Sequence, residues 1–179
     1  MNTDKKIFFL GYNKTATCTI YQLLTANGIK CQHNSKWDID KYQAFCDCGD
    51  LQDYKKLHKM YPDAYFILNT RNTNKWLLSR LKHGFTYKQR DFGYPRPTFD
   101  IVEKWLLARL EYYKELKEYF KESNNFYILD IDKFNWKTNL ANILNLKTDN
   151  AKDSHISPYN EIFEEYKILV ETVCELYKI

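Results

Sequence analysis

The sequence predicts an α/β fold, a three-layer sandwich around a mainly parallel central sheet. Residues 7–10 (IFFL), 65–69 (YFILN) and 126–131 (FYILDI) are nearly continuous apolar runs, as expected of strands covered on both faces. Stretches with helical spacing of apolar residues separate them, so strand and helix alternate along the chain. No repeat, linker or low-complexity tract interrupts the 179 residues. They therefore read as one domain, 1–179, long enough for a proper core.

The elements follow in order. The first strand, 7–10, stops at Gly11. A helix begins near Ile20 with Leu23 and Leu24 on one side and runs to about Ala26, where Asn27-Gly28 is a stop signal. Residues 29–32 form a second strand and 44–48 a short third one. Residues 51–60 have helical spacing, with Leu51, Tyr54, Leu57 and His58 on one side. After the strand at 65–69, Thr73 or Asn74 caps a helix carrying Trp76, Leu77 and Leu81. Residues 84–97 hold two Gly and two Pro without periodicity and form a loop or lid. The longest helix spans 99–121, with a stripe of Ile101, Val102, Trp105, Tyr112, Leu116, Tyr119 and Phe120. A strand at 126–131 and a helix at 136–146 follow. Residues 147–157 are irregular, and 162–177 form a last amphipathic helix.

Composition narrows the function. The net charge of +4 suits an anionic ligand, but no dense Lys/Arg stripe marks a nucleic-acid binder. The IFFL run is too short for a signal-peptide core, and no stretch approaches the length of a transmembrane helix. The five cysteines are an odd number without a framework pattern, which favours a reduced, cytoplasmic protein. Cys46 and Cys48 have no second Cys/His pair at zinc spacing, so no metal is expected.

Residues 7–19 (IFFLGYNKTATCT) carry the strongest signal. A strand, a tight turn and a helix N-terminus make an anion cradle, because the first helical amides lack partners within the helix and the dipole adds positive charge there. Lys14 brings a full charge into the turn. A Walker A loop places its lysine after a second glycine; here Lys14 comes three residues after Gly11 and no second glycine follows. In sheets of this kind ligands sit at the carboxyl ends of strands. Residues 11–17, Asp47, Arg71 and 130–132 all fall at such ends.

The order Gly-x-x-Lys-Thr-x-Thr resembles the 5'-phosphosulfate loop of sulfotransferases, with Ala16 where glycine is common. A second segment, YPDAYFILNTRN followed by Ser79, is similar to the family's strand ending in Arg with a Ser eight residues on. A third, FYILDIDKFNWKTNLANILNL, is similar to its late strand and helix. The likeness spans about residues 5–157, although the glycine-rich RKG element of cytosolic animal enzymes is missing. The chain resembles a compact bacterial, phage or viral branch more closely.

The resemblance implies a P-loop NTPase-like sulfotransferase fold and transfer of the sulfuryl group of 3'-phosphoadenosine 5'-phosphosulfate (PAPS) to a hydroxyl or amine, releasing PAP. It implies that Lys14 neutralises the leaving phosphate. Gly11, Lys14, Thr15, Ala16, Thr17, Cys18 and Thr19 would hold the 5' end, the hydroxyls of Thr15 and Thr17 included. Arg71 and Ser79 would grip the 3'-phosphate with a guanidinium fork and a hydroxyl. The general base stays open between Asp47, where family members carry a His, and His33 at the end of the second strand; Asp50 is a substitute. His155 and Asp130 are weaker choices, and Asp130 serves equally as a strand-end cap. The lid carries aromatic and basic residues that suit a small-molecule, carbohydrate or other hydroxyl acceptor. Oligomeric state stays open. The alternatives are a non-catalytic PAP or PAPS binder and a P-loop small-molecule kinase.

Overall fold

Five strands form one all-parallel sheet in the order β2-β3-β1-β4-β5, where β1 is Ile7–Phe9, β2 Cys31–His33, β3 Ala44–Cys46, β4 Tyr65–Thr70 and β5 Phe126–Asp130. The structure, a computed structural model, describes residues 5–33, 36–47, 53–83, 97–147, 149 and 164–179. These fall into two compact units, one made of residues 5–71 with 123–147 and 149, the other of 72–122 with 164–179.

The first unit holds the whole sheet and the helices α1 (Thr17–Ala26), α2 (Tyr54–Met60) and α5 (Trp136–Leu144). Period-two alternation sorts its strand residues between two faces. On one face the register sets Phe8 beside both Phe45 and Phe66. Their rings stack at 5.3 and 5.4 Å, with Trp37 and Tyr61 against Phe8 and His58 of α2 edge-on to Phe66. On the other face Ile7, Phe9, Cys31, Ala44, Cys46, Ile67 and Leu129 meet Ile20, Leu23 and Leu24 of α1 and Trp136, Leu140 and Leu144 of α5. Each fully buried Phe or Leu contributes about 2 kcal/mol. Helices thus lie on both sides of the sheet, the three layers expected.

The ends of these elements have local causes. At the end of α1, Gly28 takes φ +79°. Its amide reaches Thr25 O and that of Ile29 reaches Leu24 O, both at 3.0 Å. That is a Schellman stop, with Leu24 and Ile29 both in the core. Asp53 caps α2 by accepting from Lys56 N at 3.1 Å, so this helix starts later than residue 51. Residues 48 and 51, the ends of the predicted third strand and second helix, lie outside the described residues.

The described residues of the second unit form three helices: α3 (Thr73–Leu81), α4 (Phe99–Tyr119) and α6 (Glu164–Leu176). Asn72 caps α3, accepting from Lys75 N at 3.2 Å. This corrects the expected cap at Thr73 or Asn74, because the Asn72 side chain reaches the third amide of the first turn. The stripe of α4 also differs from expectation. Leu106, Arg109 and Tyr113 are buried, while Tyr119 is 40% exposed. Arg109 lies between the rings of Trp76 and Tyr113, 4.8 Å from each, and donates to Thr73 Oγ1 at 2.8 Å. A planar guanidinium stacks between aromatic faces in a way a simple apolar periodicity does not foresee.

Candidate functional site

The loop joining β1 to α1 is shaped by a close approach at Gly11 and by left-handed backbone at Lys14 and Ala16. Gly11 lies so close to β4 that a Cβ there would sit 1.9 Å from Asn69 O. Lys14 and Ala16 adopt left-handed backbone, with φ of 66° and 62°. That conformation costs an L-residue roughly 1–2 kcal/mol, which explains why glycine would be at home at position 16. Such strain persists only where surroundings impose it.

Asn69 imposes it from below. Inside an otherwise apolar strand, fully buried, its side-chain oxygen accepts from Gly11 N at 2.9 Å. Its amide donates to Thr15 O at 3.1 Å and Thr15 Oγ1 at 2.6 Å. The Thr15 hydroxyl in turn donates to Tyr12 O at 2.5 Å. The hydroxyl thus gives its proton to Tyr12 in the loop and accepts from Asn69 in β4, and what Thr15 offers a ligand is backbone. Sequence reasoning missed Asn69, although a lone amide in an apolar strand is a signal, since buried polar groups are there to be bonded.

Arg71, just past β4, donates through one terminal nitrogen to Lys14 O at 3.2 Å, and its other terminal nitrogen is 4.0 Å from Asp132 Oδ1. The guanidinium expected at a 3'-phosphate thus holds the backbone of the β1–α1 loop. Asp132 belongs to the turn after β5, where Asp130 Oδ1 accepts from Asp132 N at 3.0 Å. Asp130 here acts as a turn-former.

Ala16 stands at the N-cap of α1 and has no side-chain acceptor for the first-turn amides. A helix N-terminus built this way has room for an external anion to complete it. Burial lowers the Lys14 pKa, while the charges of Asp47 and Cys18 pull it back up. A half-buried cation of this kind gains from an anionic ligand. The residues present therefore fit a phosphosulfate at residues 11–19.

Both base candidates stand on the opposite side of this N-terminus. The parallel register sets His33 beside Cys46, so Asp47, the next residue, comes next to the histidine. Asp47 has φ 50°, a left-handed turn that Asp tolerates. His33 Nε2 and Asp47 Oδ2 are 3.4 Å apart. Thr17 Oγ1 donates to Asp47 Oδ2 at 3.2 Å and is 3.3 Å from His33 Nε2. Cys18 Sγ is 3.5 Å from the same nitrogen. Burial, then the Asp47 charge, push the Cys18 thiol up. The two candidates are thus one cluster. Cys46 lies beneath it, its thiol raised well above the usual range by the hydrogen bond with Cys31 and by burial.

Ser79 lies on α3, in the second unit, and is half-buried. Residues 84–96 of the segment expected to form a loop or lid, Cys48, Asp50 and His155 lie outside the described residues. Among the described residues no group of three His, Cys, Asp or Glu could hold a metal ion, and no helix is long and apolar enough to cross a membrane.

Comparison with known proteins adds a family. No curated protein matches the chain. The family model described as a sulfotransferase domain matches residues 34–128, just over half of the sequence. The matched span contains Asp47, Arg71 and Ser79 and begins after the Lys14 loop, whose geometry is separate support. With its five-stranded parallel sheet flanked by helices, the protein has the P-loop-like sulfotransferase fold, and the chain belongs to the sulfotransferase domain family.

Proposed function

We propose that the protein transfers the sulfuryl group of PAPS to a hydroxyl or amine of a small-molecule or carbohydrate acceptor, releasing PAP. The observation that carries this reading is the clasped loop. Lys14 stands on a left-handed turn whose carbonyl Arg71 holds, beside a helix N-terminus with no side-chain cap. A donor with phosphate at both ends needs both groups.

In this reading the first-turn amides of α1 bind the 5'-phosphate and Lys14 stabilises the negative charge that grows on it as the sulfuryl group departs. Arg71 and Ser79 bind the 3'-phosphate. Asp47 and His33, within reach of one another, take the proton of the acceptor. Holding donor and acceptor in line supplies the rest.

The test is incubation with PAPS and a panel of phenols, sugars and amines, read by mass spectrometry for sulfated product and PAP. Thermal shift accompanies it. PAP and PAPS are expected to stabilise the protein, and ATP or GTP with Mg²⁺ are not. Stabilisation by ATP with Mg²⁺ alone would overturn the donor assignment. Binding of PAP without transfer to any acceptor would leave a binder in place of an enzyme.

A further inference from the structure

The reading above, on which this inference rests, uses Thr17 only as a phosphate ligand. In the structure its hydroxyl is committed elsewhere. Oγ1 donates to Asp47 Oδ2 at 3.2 Å and stands 3.3 Å from His33 Nε2, while those two atoms are 3.4 Å apart. Three polar atoms thus form one small triangle, and the hydroxyl owns a single proton. Thr17 is also the first residue of α1, on the turn that faces an incoming anion. A phosphosulfate there offers this hydroxyl a second acceptor, and one proton cannot serve both.

We propose that Thr17 is a positioning residue that couples donor occupancy to the strength of the base. Without donor, its proton rests on Asp47 and partly satisfies that carboxylate. With donor bound, the hydroxyl turns to the ligand, and Asp47 acts on His33 with its full charge. His33 then holds a proton more tightly and accepts one from the acceptor more readily. The base becomes strong only when there is a sulfuryl group to transfer. No bond is made or broken by Thr17 itself; its hydroxyl only changes acceptor.

Among the described residues, other groups facing this corner include Cys18, the Tyr21 ring at 5.6 Å from the imidazole, and Lys14 and Cys46, which feel the Asp47 charge. They are common to both states of the hydroxyl, so a comparison of variants cancels them.

The experiment is an NMR titration of histidine-labelled protein. The sequence has four His, and His33→Gln identifies the signal of His33. Wild type, Thr17→Val and Thr17→Ser are each titrated free and saturated with PAP, with Thr17→Ala as a second variant lacking the hydroxyl should valine disturb the fold. Free Thr17→Val is expected to titrate above free wild type by roughly half a pH unit, because Asp47 has lost a donor. PAP is expected to raise the His33 midpoint more in wild type than in Thr17→Val, and Thr17→Ser is expected to behave as wild type. Equal rises in wild type and Thr17→Val would overturn the coupling alone. Failure of PAP to bind wild type would overturn the donor reading and the coupling with it.

Discussion

The two flanks of the α1 N-terminus do opposite kinds of work. On the β4 side, Asn69 and Arg71 address backbone: Gly11 N, Thr15 O and Lys14 O. On the β3 side, His33, Asp47, Thr17 and Cys18 address one another through side chains, three of them titratable. One flank fixes where the loop is, and the other supplies groups that can gain or lose protons. Changes on the first flank should therefore fail structurally and drag binding down with them. Changes on the second should spare the fold and alter pH behaviour.

The largest effect belongs to Gly11→Ala. The new Cβ has no room against the backbone oxygen of Asn69, 1.9 Å away, so β1 and β4 must separate. A loss of about 4 kcal/mol or more is expected, seen as a collapse of the thermal midpoint or as insoluble protein. Asn69→Ala comes next. It leaves Gly11 N and the Thr15 groups without their buried partner, for about 3 kcal/mol, and PAP binding should fall as the loop relaxes. A stable Asn69→Ala protein with intact PAP binding would erase the distinction between the flanks.

Arg71→Ala probes two roles at once, because Arg71 would act on ligand and on loop. Removing a charged hydrogen-bonding group costs about 1.5–3 kcal/mol, so PAP affinity should drop by about ten- to a hundredfold. Because the Lys14 carbonyl is released too, the transfer rate should fall as well, and calorimetry with single-turnover kinetics separates the two. An unchanged rate would make the clasp on Lys14 O idle. Asp132→Asn should change little, since a pair at 4.0 Å with both side chains about one-fifth exposed contributes less than about 1 kcal/mol.

The fold and the site were legible to different depths. The apolar runs of β1 and β4 are read easily because burial on both faces leaves no alternation to confuse; β5 departs from that expectation, because at the sheet edge it leaves Ile128 53% exposed. Lys14 and Arg71 draw notice in the sequence because each follows such an apolar run, Arg71 directly after its strand and Lys14 in the turn beyond Gly11. Asn69 does not, since a polar residue in a strand reads as an interruption until its partners are known. The pairing of His33 with Asp47 depends on β2 lying directly beside β3 in parallel register, and strand order has no local signature. Arg109 was missed because its aromatic neighbours lie on α3 and along its own helix.

A pH series probes the loop's own charge. Burial lowers the Lys14 pKa in the free protein, and an anion on the loop should raise it again by favouring the ammonium form. Affinity for PAP is therefore expected to be full at neutral pH and to fall as pH rises through the Lys14 value, which lies below that of an ordinary lysine. Lys14→Met should bind more weakly and lose this alkaline decline. A decline that survives in Lys14→Met would move the cause to another group.

The smallest effect is the most specific. Ala16 holds φ 62° at the N-cap, where an L-residue costs roughly 1–2 kcal/mol that glycine avoids. Glycine also loses more chain entropy on folding, by about 0.5–1 kcal/mol. The balance for Ala16→Gly is a gain of about 0.5 kcal/mol, or about 1–2 °C in Tm for a chain of this size. The amides that face the anion keep their places, so PAP affinity should stay the same and the His33 titration should not move. A loss of stability would mean that the loop is not strained at Ala16, and that Asn69 and Arg71 follow the backbone where they were taken to impose it. A gain in stability with a shifted His33 titration would mean that the two flanks are mechanically joined through the first turn of α1.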